Sequence, residues 1–262
     1  MRLNYAIDKN IMECELEYSK CFSEYYEDDE IIRFYDNELR DMYYHNYTFI
    51  KKAMESIDLK RIIENEIALK LSINSDFCNI ISNYDVNSSI FYTLKYKPEI
   101  SINGYYSFDI SNFSKIIAMS ECIIEKVDNQ KMIDDILFCD LQHDGEKLGK
   151  EFCTNRCYRR GKVYISDKGV NSYVCYHNGN IIGNCNLLIH DGVSKIEDFT
   201  VIPTYQRKGY GTALLKKLID IAIKENSHTI YLVTDEDDTP KEMYKKLGFN
   251  KIGERTDLFF KL

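Results

Sequence analysis

Between residues 171 and 202 apolar and polar positions alternate in three runs, NSYVCYH, NIIGNCNLLIH and VSKIEDFTVI, joined by Asn178-Gly179 and Asp191-Gly192. Two-residue Asn-Gly and Asp-Gly loops suit type I′ turns, whose central residues both need positive φ, so this stretch is predicted to be a three-stranded antiparallel meander. Over residues 210–225 the period changes. Leu214, Leu215, Leu218, Ile219 and Ala222 recur at helical spacing with Lys216, Lys217, Asp220 and Lys224 between them, the pattern of a helix packed on a sheet. Residues 229–234 (TIYLVT) read as a short buried strand. Thr239-Pro240-Lys241-Glu242 is a capping box with Pro at the first helical position, and Gly248 is a stop, so a helix is predicted over residues 240–247. Residues 250–262 read as a final strand or hairpin.

Upstream, residues 121–127 fit a first strand, and helical patterns cover residues 129–142 and 145–160. The C-terminal half thus runs β, α, α, three strands, α, β, α, β, which implies a mixed sheet flanked by helices. The N-terminal half alternates as well, with helical stretches at 10–26 and 53–71 and strand patterns at 89–96 and 99–110, so a second α/β domain is expected there.

A length of 262 residues suits two ordinary domains, and 44% hydrophobic with 29% charged content is that of a globular protein. The first ten residues lack a signal-peptide pattern and no apolar run is long enough to span a membrane, so a cytoplasmic protein with no membrane partner is expected. The nine cysteines are irregularly spaced, Cys153 and Cys157 forming an isolated C-x3-C pair, and are read as reduced, mostly buried thiols. The five histidines show no metal-binding spacing, so no metal is expected. A net charge of −8 disfavours nucleic acid and is compatible with a cationic acceptor.

One stretch carries chemistry. In VIPTYQRKGYGTALL (201–215) an apolar strand crosses two basic residues and two glycines and enters a helix. The first N–H groups of that helix lack intrahelical partners, and with the helix dipole, Arg207 and Lys208 they make an anion site suited to a pyrophosphate. A P-loop would need G-x4-G-K-[ST], and a dinucleotide fingerprint would need a third glycine where Leu214 stands, so both are excluded.

Gln206-Arg207-Lys208-Gly209-Tyr210-Gly211 resembles the [RQ]-x-x-G-x-[GA] signature of the Gcn5-related N-acetyltransferase (GNAT) family, and Tyr244-Lys245-Lys246-Leu247-Gly248-Phe249 resembles that family's Y-x-x-x-G-F. The resemblance covers roughly residues 120–262. It implies an α/β GNAT fold, a mixed and mostly antiparallel sheet flanked by helices, and an N-acetyltransferase passing the acetyl group of acetyl-CoA (coenzyme A) directly to a primary amine of a small molecule or peptide. By that resemblance pantetheine lies along Phe199, Thr200 and Val201, and pyrophosphate takes the N–H groups of Gln206, Arg207, Lys208, Gly209, Tyr210, Gly211 and Thr212. A backbone N–H near Val201 stabilises the oxyanion, and Tyr244 protonates the leaving thiolate. Asp237 stands where many relatives carry a cofactor-contacting Asn.

An alkylamine is protonated at neutral pH and must lose a proton before attack, and Glu197 and Asp198 are the available carboxylates. Neighbours on a strand point to opposite faces, so only one of them can face the acceptor, and Glu197, on the face of Phe199 and Val201, is the one favoured. The string 33–50 (RFYDNELRDMYYHNYTFI) resembles the first half of two-domain bacterial members. This implies residues 1–118 as a degenerate GNAT-like domain before a catalytic domain at 119–262, with Asp41, Tyr44 and His45 as candidates to line the acceptor cleft and His45 equally readable as a packed residue. The chain is expected to be a monomer or homodimer. The other reading is a non-catalytic acyl-CoA-binding sensor or interaction module.

Overall fold

Helix α1 (Lys9–Phe22) starts where the Asp8 side chain accepts a hydrogen bond from the N–H of Asn10. The helical pattern read over 10–26 stops at Phe22, because residues 24–27 pair sideways instead. Strands β1 (Glu24–Glu27) and β2 (Ile31–Tyr35) form a hairpin whose turn is tied by Asp28, its Oδ1 accepting the N–H groups of Glu30 and Ile31. Then follow β3 (Tyr47–Ile50), α2 (Ser56–Ser72), β4 (Phe77–Ser82) and β5 (Glu99–Phe108). The strand expected at 89–96 is instead a 3-10 helix over Ser88–Thr93, begun by Asn87, whose side chain accepts from the N–H of Ser89. This computed structural model describes residues 7–84, 86–118, 122–166, 168–237 and 240–262.

The second half begins with β6 (Ile123–Lys126) and α3 (Gln130–His143). The helix read over 145–160 is two pieces, α4 (Gly145–Leu148) and α5 (Lys150–Tyr164), divided at Gly149 with φ 88°, a conformation that suits glycine. The predicted meander follows as β7 (Val170–His177), β8 (Asn180–His190) and β9 (Val193–Val201), with Asn178, Gly179, Asp191 and Gly192 all at positive φ as their turns require. Helix α6 (Tyr210–Lys224), β10 (Thr229–Asp235), α7 (Pro240–Leu247) and β11 (Phe249–Lys261) complete the chain. The end is one long strand rather than a hairpin. Glu121 of the predicted first strand and Thr239 of the predicted capping box lie outside the described residues.

Among the described residues the strands make one sheet, in the order β1-β2-β3-β4-β11-β5-β10-β9-β8-β7-β6. Two pairs are parallel, β3 with β4 across α2 and β9 with β10 across α6. Each half is therefore a meander followed by a helical crossover, and the two halves exchange their last strands. β5 leaves the first half to pair with β10, and β11 leaves the second to pair with β4. They meet along the middle over ten register pairs, Phe249↔Phe108 to Phe259↔Glu99. The sheet runs unbroken past the expected boundary at 118/119.

Both faces are covered. α3 and α5 pack on one face of the second half together with Ile11, Cys14, Tyr18 and Phe22 of α1, while α6 and α7 cover the other. Met12 and Leu16, on the opposite side of α1, pack against β2 and β3, so this helix bridges the two halves. All nine cysteines are free and seven are buried, so they pack as small apolar groups.

Candidate active site

The parallel pairing of β9 with β10 covers only Val193–Ile196 against Thr229–Leu232. Beyond it β10 continues alongside β5 while β9 stays with β8, so from Glu197 to Val201 the edge of β9 that faces β10 leaves the ladder. Such an edge presents main-chain donors and acceptors that an extended ligand can take in the manner of an added strand.

A bulge sits at the mouth of this gap. The β8–β9 register shifts between Asn184↔Thr200 and Asn186↔Glu197, placing an extra residue in β9, and Asp198 adopts φ 53°. A bulge breaks the alternation of faces. Glu197 and Asp198 therefore both open into one cleft on the α1 side, and Phe199 turns to the opposite face among the α6 and α7 side chains. This corrects the expectation that only one carboxylate could face the cleft and that Glu197 shares a face with Phe199 and Val201.

The cleft encloses about 280 Å³ and lies between the halves. α1 supplies Glu15, Tyr18, Ser19 and Phe22, the segment before β3 supplies Met42, Tyr44 and His45, and β10 supplies Val233, Thr234 and Asp235. Of the first-half candidates Tyr44 and His45 line it, whereas Asp41 is exposed and stands outside it. His45 is a packed residue as well. Its Nδ1 lies 2.9 Å from Asp36, its ring stacks on Phe22, and burial lowers its basicity so that it is neutral near pH 7.

The two carboxylates differ in their partners. Asp198 accepts from Tyr18 Oη at 2.9 Å and Asn186 Nδ2 at 2.7 Å and forms an ion pair with buried Arg160. Against the upward push of burial, Arg160 and these donors hold Asp198 below the usual carboxylate range. Glu197 has an ion pair with Lys195 at 2.7 Å, and 29% of its side chain is exposed. Burial, with the charge of Asp198, lifts Glu197 above its ordinary value despite the pull of Lys195. The ionised form is thus favoured at Asp198 and disfavoured at Glu197.

Lys195 also reaches Glu15 at 2.7 Å, and Glu15 in turn meets Arg255 at 3.1 Å and accepts from Tyr231 Oη at 2.8 Å. Glu15, Tyr18, Arg160, Lys195 and Arg255 were not among the sequence candidates. Glu15 and Tyr18 lie three apart on one helix face, and Lys195 lies two before Glu197 on a strand, so both spacings were visible. Nothing local in the sequence says that α1 and β9 meet.

On the far side of the gap lies the glycine turn. Pro203–Tyr205 forms a 3-10 turn, Gln206 Nε2 donates to the Val201 carbonyl at 2.9 Å, and Arg207 and Gly209 take φ 59° and 87° before α6 starts at Tyr210. A Cβ on Gly211 would stand 3.0 Å from the Phe199 ring, so glycine there lets the first turn of α6 press against β9. That first turn carries no acidic residue. Lys208 lies over the Tyr205 ring, and Tyr205 packs edge-on against Tyr210. Tyr244 of α7 is buried beside Phe199, with ring centroids 6.4 Å apart, and so stands next to the open edge of β9. Thr200 pairs with Asn184 and lines a small polar cavity behind Asp198. Asp237 is exposed just after β10, its N–H bonded to Asp235 Oδ1. The open strand edge, the turn and the glycine contact together fit an extended ligand arm that leads into an anionic group. No group of residues suited to hold a metal occurs among the described residues, and no described helix is long and apolar enough to cross a membrane.

A splayed parallel pair, a glycine turn opening a helix and a carboxylate cleft on the opposite face define a fold of the GNAT acyltransferase type. The sequence pattern of the Acetyltransferase (GNAT) family matches residues 132–249, and the chain carries an acetyltransferase domain of that family. Among curated proteins it is similar to the uncharacterized N-acetyltransferase CgeE of Bacillus subtilis, 29% identical over 114 residues that cover 42% of this chain and 44% of the relative. It is also similar to a [ribosomal protein bS18]-alanine N-acetyltransferase of Haemophilus influenzae, 32% identical over 62 residues covering 24% and 42%. The chain spans about half the length of the curated relatives it matches. Among solved structures, a conserved protein of unknown function from Staphylococcus epidermidis superposes with a TM-score of 0.76 at 18% identity, over 91% of this chain and 94% of that one. A tandem GNAT protein from the clavulanic acid biosynthesis pathway gives 0.56 at 10% identity, over 88% and 76%. The fold is therefore a tandem GNAT arrangement, as the repeated meander and crossover also indicate.

Proposed function

We propose that the protein is an acetyl-CoA-dependent N-acetyltransferase acting on a primary amine of a small polar molecule. The observation that carries this reading is the stretch 197–201 of β9, whose open edge leads to the glycine turn on one side and whose bulge presents Glu197 to an enclosed cleft on the other. Main-chain groups of Phe199 to Val201 hold the pantetheine arm, and the N–H groups of Arg207 to Thr212, with the Arg207 and Lys208 side chains, hold the pyrophosphate, the N–H of Gln206 being taken by the Pro203 carbonyl. Glu197 takes a proton from the entering ammonium, the amine nitrogen bonds to the thioester carbon as the C–S bond breaks, Tyr244 gives a proton to the departing sulfur, and the second proton lost by the nitrogen as the amide forms restores Tyr244. Residues 1–118 act as a degenerate GNAT-like wall, since α1 and the segment before β3 enclose the cleft on which the second half places its carboxylates.

The cleft favours a small acceptor, its volume of about 280 Å³ lying just below the roughly 300–1,000 Å³ common for ligand pockets. Its cations are already engaged, Arg160 with Asp198, Lys195 with Glu15 and Glu197, and Arg255 with Glu15 and Asp257, which leaves none for a phosphate. Asp235 adds a further carboxylate among the lining residues. A cationic amine bearing hydroxyls fits this lining better than an anion.

The test is release of free CoA thiol from acetyl-CoA across a panel of amino sugars, polyamines, amino alcohols and peptide N-termini. Amine-stimulated release is expected for small hydroxylated amines, reduced about 10²-fold or more in Tyr244→Phe. Tight CoA binding without stimulation by any amine would replace this reading with that of an acyl-CoA sensor.

A further inference from the structure

We propose that Glu15 and Lys195 are positioning residues that together hold Glu197 in place and set its proton affinity, so that the first half of the chain adjusts the base of the second. The inference rests on Glu197 being that base.

The geometry is a buried chain of alternating charge. Lys195 Nζ sits 2.7 Å from a carboxylate oxygen of Glu15 and 2.7 Å from one of Glu197, and both Lys195 and Glu15 are more than nine-tenths buried. A single ammonium is shared between two carboxylates. Glu15 comes from α1, while Lys195 and Glu197 lie two apart on β9 and so on one face before the bulge. Glu15 is itself fixed from two other elements, by Arg255 of β11 at 3.1 Å and by the hydroxyl of Tyr231 of β10 at 2.8 Å. The other charged and titratable groups around Glu197 are Asp198 on its own strand, Tyr18 of α1, Arg160 of α5, Tyr44, His45 and Asp235, which line the same cleft, and the buried thiol of Cys185 on β8, which donates to the Glu197 carbonyl at 3.4 Å. Asp198 is compensated by Arg160, so the free variable in the field at Glu197 is how much of the Lys195 charge Glu15 draws away.

Two single substitutions then act in opposite directions. Lys195→Met removes the cation and leaves Glu197 beside Asp198, which makes its ionised form less favourable. Glu15→Gln keeps shape and burial while leaving the whole ammonium to Glu197, which makes its ionised form more favourable. A merely structural role gives no reason for opposite signs. Lys195→Arg keeps the charge and is expected to leave Glu197 near its original behaviour.

The experiment is a carboxyl titration by NMR on the full chain labelled with 13C at the glutamate side-chain carboxyl, the Glu197 resonance being assigned by its loss in Glu197→Gln. Lys195→Met is expected to raise the Glu197 midpoint by about one pH unit or more, and Glu15→Gln to lower it by about half a unit to one. The acid limb of the turnover profile, with whichever amine the panel selects, is expected to move the same way. Glu15→Gln is nearly isosteric, so it keeps the test decisive if Lys195→Met fails to fold. An unmoved midpoint in Glu15→Gln, or shifts of the same sign in both variants, overturns the proposal. If the midpoints move as stated but Glu197→Gln retains full turnover, the tuning pair stands and the assignment of Glu197 as base falls.

Discussion

Strands β3 and β9 each run parallel to the strand that follows the next helix, but they end differently. β3 pairs with β4 along its whole length, Tyr47–Ile50 against Asn79–Ser82, so no main-chain edge opens between them. β9 leaves β10 after four pairs and continues for five residues with that edge open. The helices that follow differ as well. α2 is preceded by Glu55 at its cap and carries Asp58 in its first turn, charges that would repel a phosphate, whereas α6 is preceded by Gly209 and has no acid in its first turn. One crossover thus leaves an open strand edge leading to a helix start free of acidic residues, and the other closes the sheet. What the first half gives instead is the wall of the cleft, through α1. The comparison teaches that a repeated fold can divide its labour, and under the proposed function one copy holds the donor while the other shapes the space for the acceptor.

The strand exchange is the strongest way to break that division. Fragments 1–118 and 119–262 would each keep an orphaned strand, since β5 finds its partners in β10 and β11, and β11 finds its own in β4 and β5. Neither fragment is expected to show a cooperative thermal transition by circular dichroism. A 119–262 fragment that melts cooperatively and binds CoA would show the halves to be independent, and the exchange to be a detail of their junction.

A smaller change tests the contrast between the helix starts. Thr212→Asp places in the first turn of α6 the acid that α2 already has, and it is expected to weaken CoA binding at least about tenfold at low salt, with a gap that narrows as salt screens the added charge. Calorimetric titration measures both. The reciprocal change, Glu55→Gln with Asp58→Asn, is expected to create no second binding site, because β3 and β4 leave no slot. An unchanged affinity in Thr212→Asp would place the pyrophosphate away from α6.

Much of the second half was legible because its signals are local. Asn-Gly and Asp-Gly turns fix a meander, a helical stripe fixes α6, and Pro240 with Gly248 brackets α7, all within short windows. The first half hides its strands, since β2, β3 and β4 are only four to six residues long and nearly continuous in burial, without the alternation that marks a half-exposed strand. The exchange of β5 and β11 depends on contacts between residues more than 120 positions apart, for which no pattern exists. At the site, the turn follows from the local pattern and Tyr244 was named by the resemblance of its motif, but the face of Glu197 could not be read. One residue at positive φ, Asp198, inverts the parity on which such a reading depends. The ion pairs of Glu15 with Lys195 and of Arg160 with Asp198 join distant elements and were equally invisible.

The segment before the meander is the remaining contrast, and it carries the smallest expected effect. Among the described residues of the first half one helix, α1, precedes β1, whereas in the second α3, α4 and α5 precede β7, and the corner between them is held by charge. Asp144 lies at the junction of α3 and α4, with His143 Nδ1 at 2.8 Å and Arg156 Nη2 at 2.7 Å, and Arg156 also meets Asp140 at 3.1 Å. The hydrogen bond from His143, opposed by partial burial and assisted by Arg156, depresses the Asp144 carboxyl to about 2. A carboxylate whose folded value lies below its unfolded value of about 3.9 adds stability that is fully present above the unfolded value and is lost as pH falls through the folded one. Asp144→Asn is therefore expected to destabilise the protein by on the order of 1 kcal/mol at pH 7, solvent screening having removed part of a larger nominal gain. The difference from the wild type should shrink between about pH 4 and pH 2. Chemical denaturation of both proteins across that range measures it, and a difference that stays constant with pH would mean that the corner depends on the shape of Asp144 and its backbone contacts to Lys147 and Leu148 rather than on its charge.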